Sequence, residues 1–85
     1  MLNVKTIADC VTASREVINE AYQVTTREDH SRVWDKKVEL LNIVNGALET
    51  GFWQGENYNM LWEAKHNCFK AERVAGESAQ NTYMI

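Results

Sequence analysis

The 85-residue chain contains no proline, and this absence constrains its fold more than any other single feature. Proline breaks helix interiors and fixes the geometry of many loops, so a chain without it favours long, uninterrupted helices. A chain of this length forms one domain. It also lies near the lower limit for folding on a single apolar core without a disulfide, a metal or a partner.

Three segments repeat apolar residues at three- and four-residue steps, the spacing of one helix face. The stripe of the first segment comprises Val4, Ile7, Ala8, Val11, Ile18 and Ala21. We predict helices over residues 4–24, 27–50 and 57–75. The expected fold is an all-α, up-down-up bundle of three helices joined by short loops.

Capping residues predict where these helices begin and end. A threonine followed three residues later by an acid forms a capping box, asparagine is a good N-cap, and glycine ends helices in a left-handed conformation. The signals are Thr25 with Glu28, Thr26 with Asp29, Gly51, Asn57 or Asn59, and Gly76. The predicted division is therefore a helical domain over residues 1–76 and a polar tail over 77–85 with an apolar end.

The second predicted helix carries two apolar stripes, although a helix that packs on one side needs only one. The first stripe comprises Trp34, Val38, Leu41 and Leu48, and the second comprises Val33, Leu40, Val44 and Ala47, with Ile43 alongside. Either this helix lies at the centre of the bundle, or its second face meets another chain. We expect oligomerisation to complete the bundle.

The charge balance argues against nucleic acid and membrane surfaces as partners. Twelve acidic and nine basic residues give a net charge of −3, whereas both partners attract a concentrated positive field. No apolar run is long enough to span a membrane, and the N-terminus lacks the pattern of a signal peptide. We therefore expect a cytoplasmic protein in which Cys10 and Cys68 are free, buried thiols.

The residues that could perform catalysis are too few or too scattered. Glu63 and His66 form one Glu-x-x-His pair, whereas carboxylate-bridged di-iron bundles use two such pairs and two further glutamates. All-α nucleotide pyrophosphohydrolases carry two paired acidic motifs, of which Glu16 and Glu20 supply one imperfect copy. We expect no catalytic residue, metal or cofactor. A small metal-dependent hydrolase remains the second alternative.

The aromatic residues are numerous for so small a core. Rings at helical spacing usually belong to the core, and Phe52 and Trp62 follow core stripes. Trp53 follows neither stripe, so we expect it, with the neighbouring Tyr58, to be an exposed anchor for a partner. The apolar end of the chain is expected to dock on the bundle or on another chain; it comprises Tyr83, Met84 and Ile85.

These patterns favour a non-enzymatic protein that acts by protein–protein binding, as a homo-oligomer. Small acidic proteins without catalytic residues are often regulators or inhibitors that occlude a larger target, and phage and mobile-element anti-defence factors are one source of them. The alternative is an oligomeric protein that binds or sequesters a nucleotide. In that case Tyr58 or Trp53 would stack on a base, and the phosphates would be held by Arg27, Arg32, Lys36 and Lys37.

Overall fold

The computed structural model describes residues 5–51 and 54–82, except for the side chains of 81 and 82. It contains three α-helices: α1 (Ile7–Tyr22), α2 (Arg27–Thr50) and α3 (Glu56–Thr82). No strand occurs in these two ranges. The predicted all-α, three-helix fold is confirmed.

Capping residues begin the first two helices. Thr6 and Asp9 form a capping box at the start of α1, in which the Thr6 side chain accepts a hydrogen bond from the Asp9 backbone. Thr26 caps α2 in the same way through the Asp29 backbone N–H, at 3.1 Å. Gly51 ends α2 with a φ of 71°, the left-handed conformation predicted for it.

The third helix does not end at Gly76 as predicted but continues to Thr82. Glycine costs about 1 kcal/mol in a helix interior, which packing further along the helix can outweigh. Ala79 is buried, and the Ser78 Oγ donates a hydrogen bond to the Ala21 carbonyl oxygen at 3.2 Å. Residues 77–82 are therefore helical, and Ser78 and Ala79 pack on the bundle, so this segment is not the polar tail that was predicted.

The central helix is α3, because it packs against α1 and α2 more extensively than these two pack against each other. The alternative that places the second helix at the centre is therefore wrong. Small and β-branched side chains make up most of the core, in two clusters. One comprises Cys10, Val11, Leu40, Val44, Leu61, Ala64 and Cys68, and the other comprises Val17, Ala21, Val24, Val33, Ala71, Val74 and Ala75.

A buried polar contact links α1 to α3. The Ser14 Oγ donates a hydrogen bond to the Val11 carbonyl oxygen at 2.7 Å and accepts one from the Asn67 Nδ2 at 3.0 Å. Because the buried hydroxyl both donates and accepts, its burial carries little desolvation cost. In residues 5–51 and 54–82, no helix is both long enough and apolar enough to cross a membrane.

Candidate functional site

Every phenylalanine, tryptophan and tyrosine side chain that the structure describes lies at the surface. These residues are Tyr22, Trp34, Tyr58, Trp62 and Phe69. The prediction that Trp62 belongs to the core is wrong: the row of α3 that faces the core contains Leu61, Ala64 and Cys68, and Trp62 lies outside it, 45% exposed. A small bundle normally buries its rings, because each removes a large apolar area from water.

Four of these five rings share one surface, which we call the α2–α3 face. Along each helix its residues follow steps of three and four, so they form two straight rows. The face comprises Trp34, Val38, Leu41, Asn45 and Leu48 from α2 and Tyr58, Trp62, Lys65, Phe69, Glu72 and Gly76 from α3. The α2 row contains the whole of the first apolar stripe predicted for the second helix.

Two open grooves show that the rows lie side by side. At one end of the face, Trp34 of α2 and Phe69 and Gly76 of α3 line a groove of about 610 Å³. At the other end, Leu48 of α2 lines a groove of about 540 Å³ with Tyr58 and Trp62 of α3. Because α2 and α3 run antiparallel, the start of α2 lies beside the later turns of α3. The apolar face thus extends along most of α2.

Cations and ring contacts hold the aromatic side chains in place. The Lys37 Nζ lies 3.6 Å from the centre of the Trp34 ring and donates a hydrogen bond to the Glu72 carboxylate at 3.3 Å. At the other end, Tyr58 and Trp62 make an edge-to-face contact with ring centres 6.2 Å apart. The Lys65 Nζ lies 5.1 Å from the centre of the Trp62 ring. Rings oriented in this way lose less entropy when a partner covers them.

The basic residues expected to hold phosphates are not brought together as a positive site. The Lys36 Nζ donates to the Glu20 carboxylate at 2.6 Å, and the Arg32 guanidinium contacts the Asp29 carboxylate. These four residues line one small pocket of about 190 Å³, below the usual range for ligand sites of about 300–1,000 Å³. Its two cations are balanced by two carboxylates.

The other two basic residues of this set lie elsewhere. Lys37 is buried beneath Trp34, between α2 and α3. Arg27 is exposed at the start of α2 and does not line the pocket of Arg32 and Lys36. The four side chains therefore do not converge on a single phosphate position.

The Glu63–His66 pair is not assembled as a metal site. The Glu63 carboxylate accepts a hydrogen bond from the Arg15 guanidinium at 3.0 Å, and His66 is exposed. Within the described ranges, no group of three or more histidine, cysteine, aspartate or glutamate side chains could hold a metal ion.

The two cysteines are free and buried, in the same core cluster. Burial raises the pKa of the Cys10 thiol and raises that of Cys68 to about 11. Both thiols are therefore protonated near neutral pH, which disfavours nucleophilic chemistry.

Of the predicted partner-binding residues, Tyr58 is exposed and belongs to the α2–α3 face. Trp53, Tyr83, Met84 and Ile85 lie outside the described residues. The sequence predicts the α2 row of the face but not the α3 row, because it placed Trp62 in the core, where the row of Leu61 and Cys68 lies. The regular steps from 58 to 62, 65 and 69 could have separated the two rows.

No protein-family model matches this chain, and no curated protein or solved structure is significantly similar to it. A function is therefore inferred from the arrangement of the chain's own residues.

Proposed function

We propose that this protein acts by non-catalytic contact with other protein chains, and that the α2–α3 face makes this contact. One observation carries the proposal: no aromatic ring among the described residues is buried, and four of the five gather on this face. Tryptophan and tyrosine are favoured anchors at protein interfaces because a large, rigid ring buries much area for little entropy.

The size of the face supports the same proposal. From Trp34 to Leu48 the α2 row rises by about 21 Å, and two helices side by side are about 20 Å wide. The face is therefore on the order of 400 Å² in projection, within the ~300–600 Å² of the largest apolar patch on a typical single chain, which is often functional.

The kind of protein we propose is a regulator or inhibitor that occludes a larger target in the cytoplasm. The chain is small, its net charge is −3, and both of its cysteines are buried, protonated thiols. These properties suit a protein that blocks another protein better than one that catalyses a reaction. Phage and mobile-element anti-defence factors are one such class of protein. The nucleotide-binding alternative is less well supported, because Arg32 and Lys36 each already contact a carboxylate.

Affinity capture with two matched variants tests the proposal. Trp62→Glu places a charge on the α2–α3 face, and Tyr22→Glu places one on an exposed ring elsewhere. We expect the wild-type protein and Tyr22→Glu to associate with another protein chain, of their own kind or of a host, and Trp62→Glu to lose that association. Circular dichroism verifies that both variants fold.

Two results would overturn the proposal. The first is a wild-type protein that is monomeric at all concentrations and captures nothing from the host lysate. The second is a stoichiometric thermal shift with one nucleotide of a panel that includes cyclic dinucleotides, abolished by Arg32→Ala, since bound ligand stabilises a folded protein.

A further inference from the structure

We propose that a second copy of this chain covers the α2–α3 face, so that α2 and α3 of each copy form a core of four helices. This inference rests on the proposed function, since it takes the face to be a protein-binding surface and identifies the bound chain as a second copy, so that a larger target would contact the remaining surface of the dimer. Three observations favour a second copy: the spacing of the face residues, the distribution of charge at its two ends, and the one-sided packing of α2.

The spacing is that of helices that pack on other helices. The α2 row advances by four, three, four and three residues from Trp34 to Leu48, and the α3 row alternates in the same way from Tyr58 to Gly76. Apolar side chains at such positions form the a/d pattern of coiled coils and four-helix bundles, in which each side chain inserts between residues of the facing helix. Here the apolar positions are Trp34, Val38, Leu41, Leu48, Tyr58, Trp62 and Phe69, while Lys65 and Glu72 alternate with the rings of α3. Two such rows side by side match a partner that also presents two rows.

Asn45 lies near the middle of the α2 row, among Val38, Leu41 and Leu48. A single asparagine at a core position of a coiled coil selects the register and the number of helices, because its amide must find a polar partner. In the proposed dimer this side chain serves that purpose.

The charges make the face complementary to itself. At the end near Trp34, the charged residues that line the groove are Glu72, Arg73 and Glu77, and Glu72 already accepts a hydrogen bond from Lys37. At the other end, the groove is lined by Glu49 and Lys65. Each end thus carries both signs, so a twofold arrangement of two copies, with like ends or with opposite ends together, can place a cation of one copy near a carboxylate of the other. Neither end has the single-sign field that would select a strongly acidic or basic partner.

The packing of α2 leaves the chain short of buried apolar area. The buried row of α2 is Val33, Lys37, Leu40 and Val44, while Trp34 and Val38 remain exposed. A chain of 85 residues gains only a few kcal/mol from a single core, and oligomerisation is a common supplement. A second copy supplies apolar cover at the place where α2 lacks it.

Sedimentation of the wild-type protein and of two charge variants tests this proposal. Val38→Glu and Ile43→Glu alter β-branched residues of the same helix with similar exposure, 41% and 36%, but only Val38 lies on the face. We expect a wild-type mass of twice the 9.8 kDa chain in the micromolar range. Val38→Glu should raise the dissociation constant at least ~10-fold, because it places a charge near the centre of the interface. Ile43→Glu should leave the mass unchanged.

The outcomes separate this inference from the proposed function. A wild-type monomer that captures a host protein, and loses it with Val38→Glu, overturns the second copy but keeps the face as a protein-binding surface. A dimer that persists unchanged in Val38→Glu and Trp62→Glu overturns the inference as well. If those variants also capture the same host protein as the wild type, the proposed role of the face fails too. Far-UV circular dichroism of each variant confirms that lost association is not lost folding.

Discussion

The two sides of α3 differ in the size of their side chains: the buried side carries mostly small residues and the exposed side carries large rings. Its core-facing side is lined by Leu61 and Cys68 and by a series of alanines, Ala64, Ala71, Ala75 and Ala79. Its outer row on the α2–α3 face carries Tyr58, Trp62 and Phe69, which are among the largest side chains of the protein and are all exposed. In most domains the distribution is the reverse, with large apolar residues inside and small ones tolerated anywhere.

On α3, the side that packs against the other helices is therefore not the side that carries the largest apolar side chains. Alanine and cysteine let two helices approach closely, toward the short end of the ~8–10 Å range of interaxial distances, so these small side chains suit the buried side of α3. The price is a core with few large side chains, and thus a small hydrophobic contribution to stability. The rings on the outer row are 41%, 45% and 51% exposed, so they bury only part of their apolar area in the single chain.

The largest expected effect comes from comparing two neighbouring residues, Leu61 and Trp62. Leu61→Ala removes a completely buried side chain and should lower the free energy of unfolding by about 2–5 kcal/mol, through lost burial and the cavity left behind. Trp62→Ala removes a larger ring that is 45% exposed and should lower it by less, about 1–2 kcal/mol, because much of the ring already contacts water. Urea denaturation followed by far-UV circular dichroism, at a concentration where the chain is monomeric, measures both. Equal losses would show that Trp62 is part of the core.

The next comparison uses another adjacent pair, Ala75 and Gly76. Ala75→Leu inserts a large side chain at a fully buried position and should destabilise the fold by about 1–3 kcal/mol. Gly76→Ala should instead stabilise α3 by up to about 1 kcal/mol, because a helix favours alanine and the added Cβ meets no described atom within 4 Å. Thermal unfolding of both variants measures whether each substitution lowers or raises the stability of the fold. A stabilising Ala75→Leu would mean that the core of this bundle is loosely packed.

The sequence was enough to predict the helices, because local signals determine them. The apolar repeats place all three, and Gly51 marks the end of α2 by a conformation that glycine adopts without strain. The end of α3 was wrong because glycine is only a weak breaker. Whether a helix passes through Gly76 depends on packing at Ala79, which lies on a different turn and contacts other helices.

The candidate site was predicted only in part. The first apolar stripe of α2, which belongs to the α2–α3 face, was visible in the sequence, and a helix with two stripes needs two partners. The identity of the central helix was not visible, since it depends on which rows pack tightly in three dimensions. Trp62 was assigned to the core because large rings usually are buried, whereas here alanine and cysteine occupy the positions that face inward.

A third comparison concerns neighbouring lysines on α2. The Lys37 side chain is only 7% exposed beneath Trp34, so Lys37→Ala loses the packing of its methylene groups and the cation–π contact. We expect a cost of about 1–2 kcal/mol, together with greater mobility of the Trp34 ring. Lys36 and Glu20 form a pair whose side chains are 41% and 43% exposed, so Lys36→Ala should cost less than about 0.5 kcal/mol. Urea denaturation at low and high salt distinguishes the two variants. Salt screens part of the Lys37–Glu72 ion pair, so a loss at Lys37 that disappears entirely at high salt would contradict the packing explanation.

The smallest expected effect is a pH dependence of the free energy of unfolding that comes from a buried thiol on the core-facing side of α3. Burial raises the pKa of the Cys68 thiol to about 11, whereas in an unfolded chain it is about 8.5. As pH rises between these values, the unfolded state loses the thiol proton before the folded state does, so the folded state loses stability. Between pH 8 and 9 the loss from this thiol should be below about 1 kcal/mol.

Urea denaturation of the wild-type protein and of Cys68→Ala at both pH values measures this loss. The fall in stability with pH should be smaller in Cys68→Ala, where the smaller contribution of Cys10 remains.

Alkylation supplies the second measurement: iodoacetamide should modify both thiols much more slowly in the native than in the unfolded protein. Iodide should meanwhile quench the fluorescence of Trp62 readily in the monomer, because that ring is exposed. Rapid alkylation of Cys68 in the native protein would mean that a reagent reaches the core-facing side of α3 as easily as it reaches the exposed side. The two sides of α3 would then not differ in accessibility.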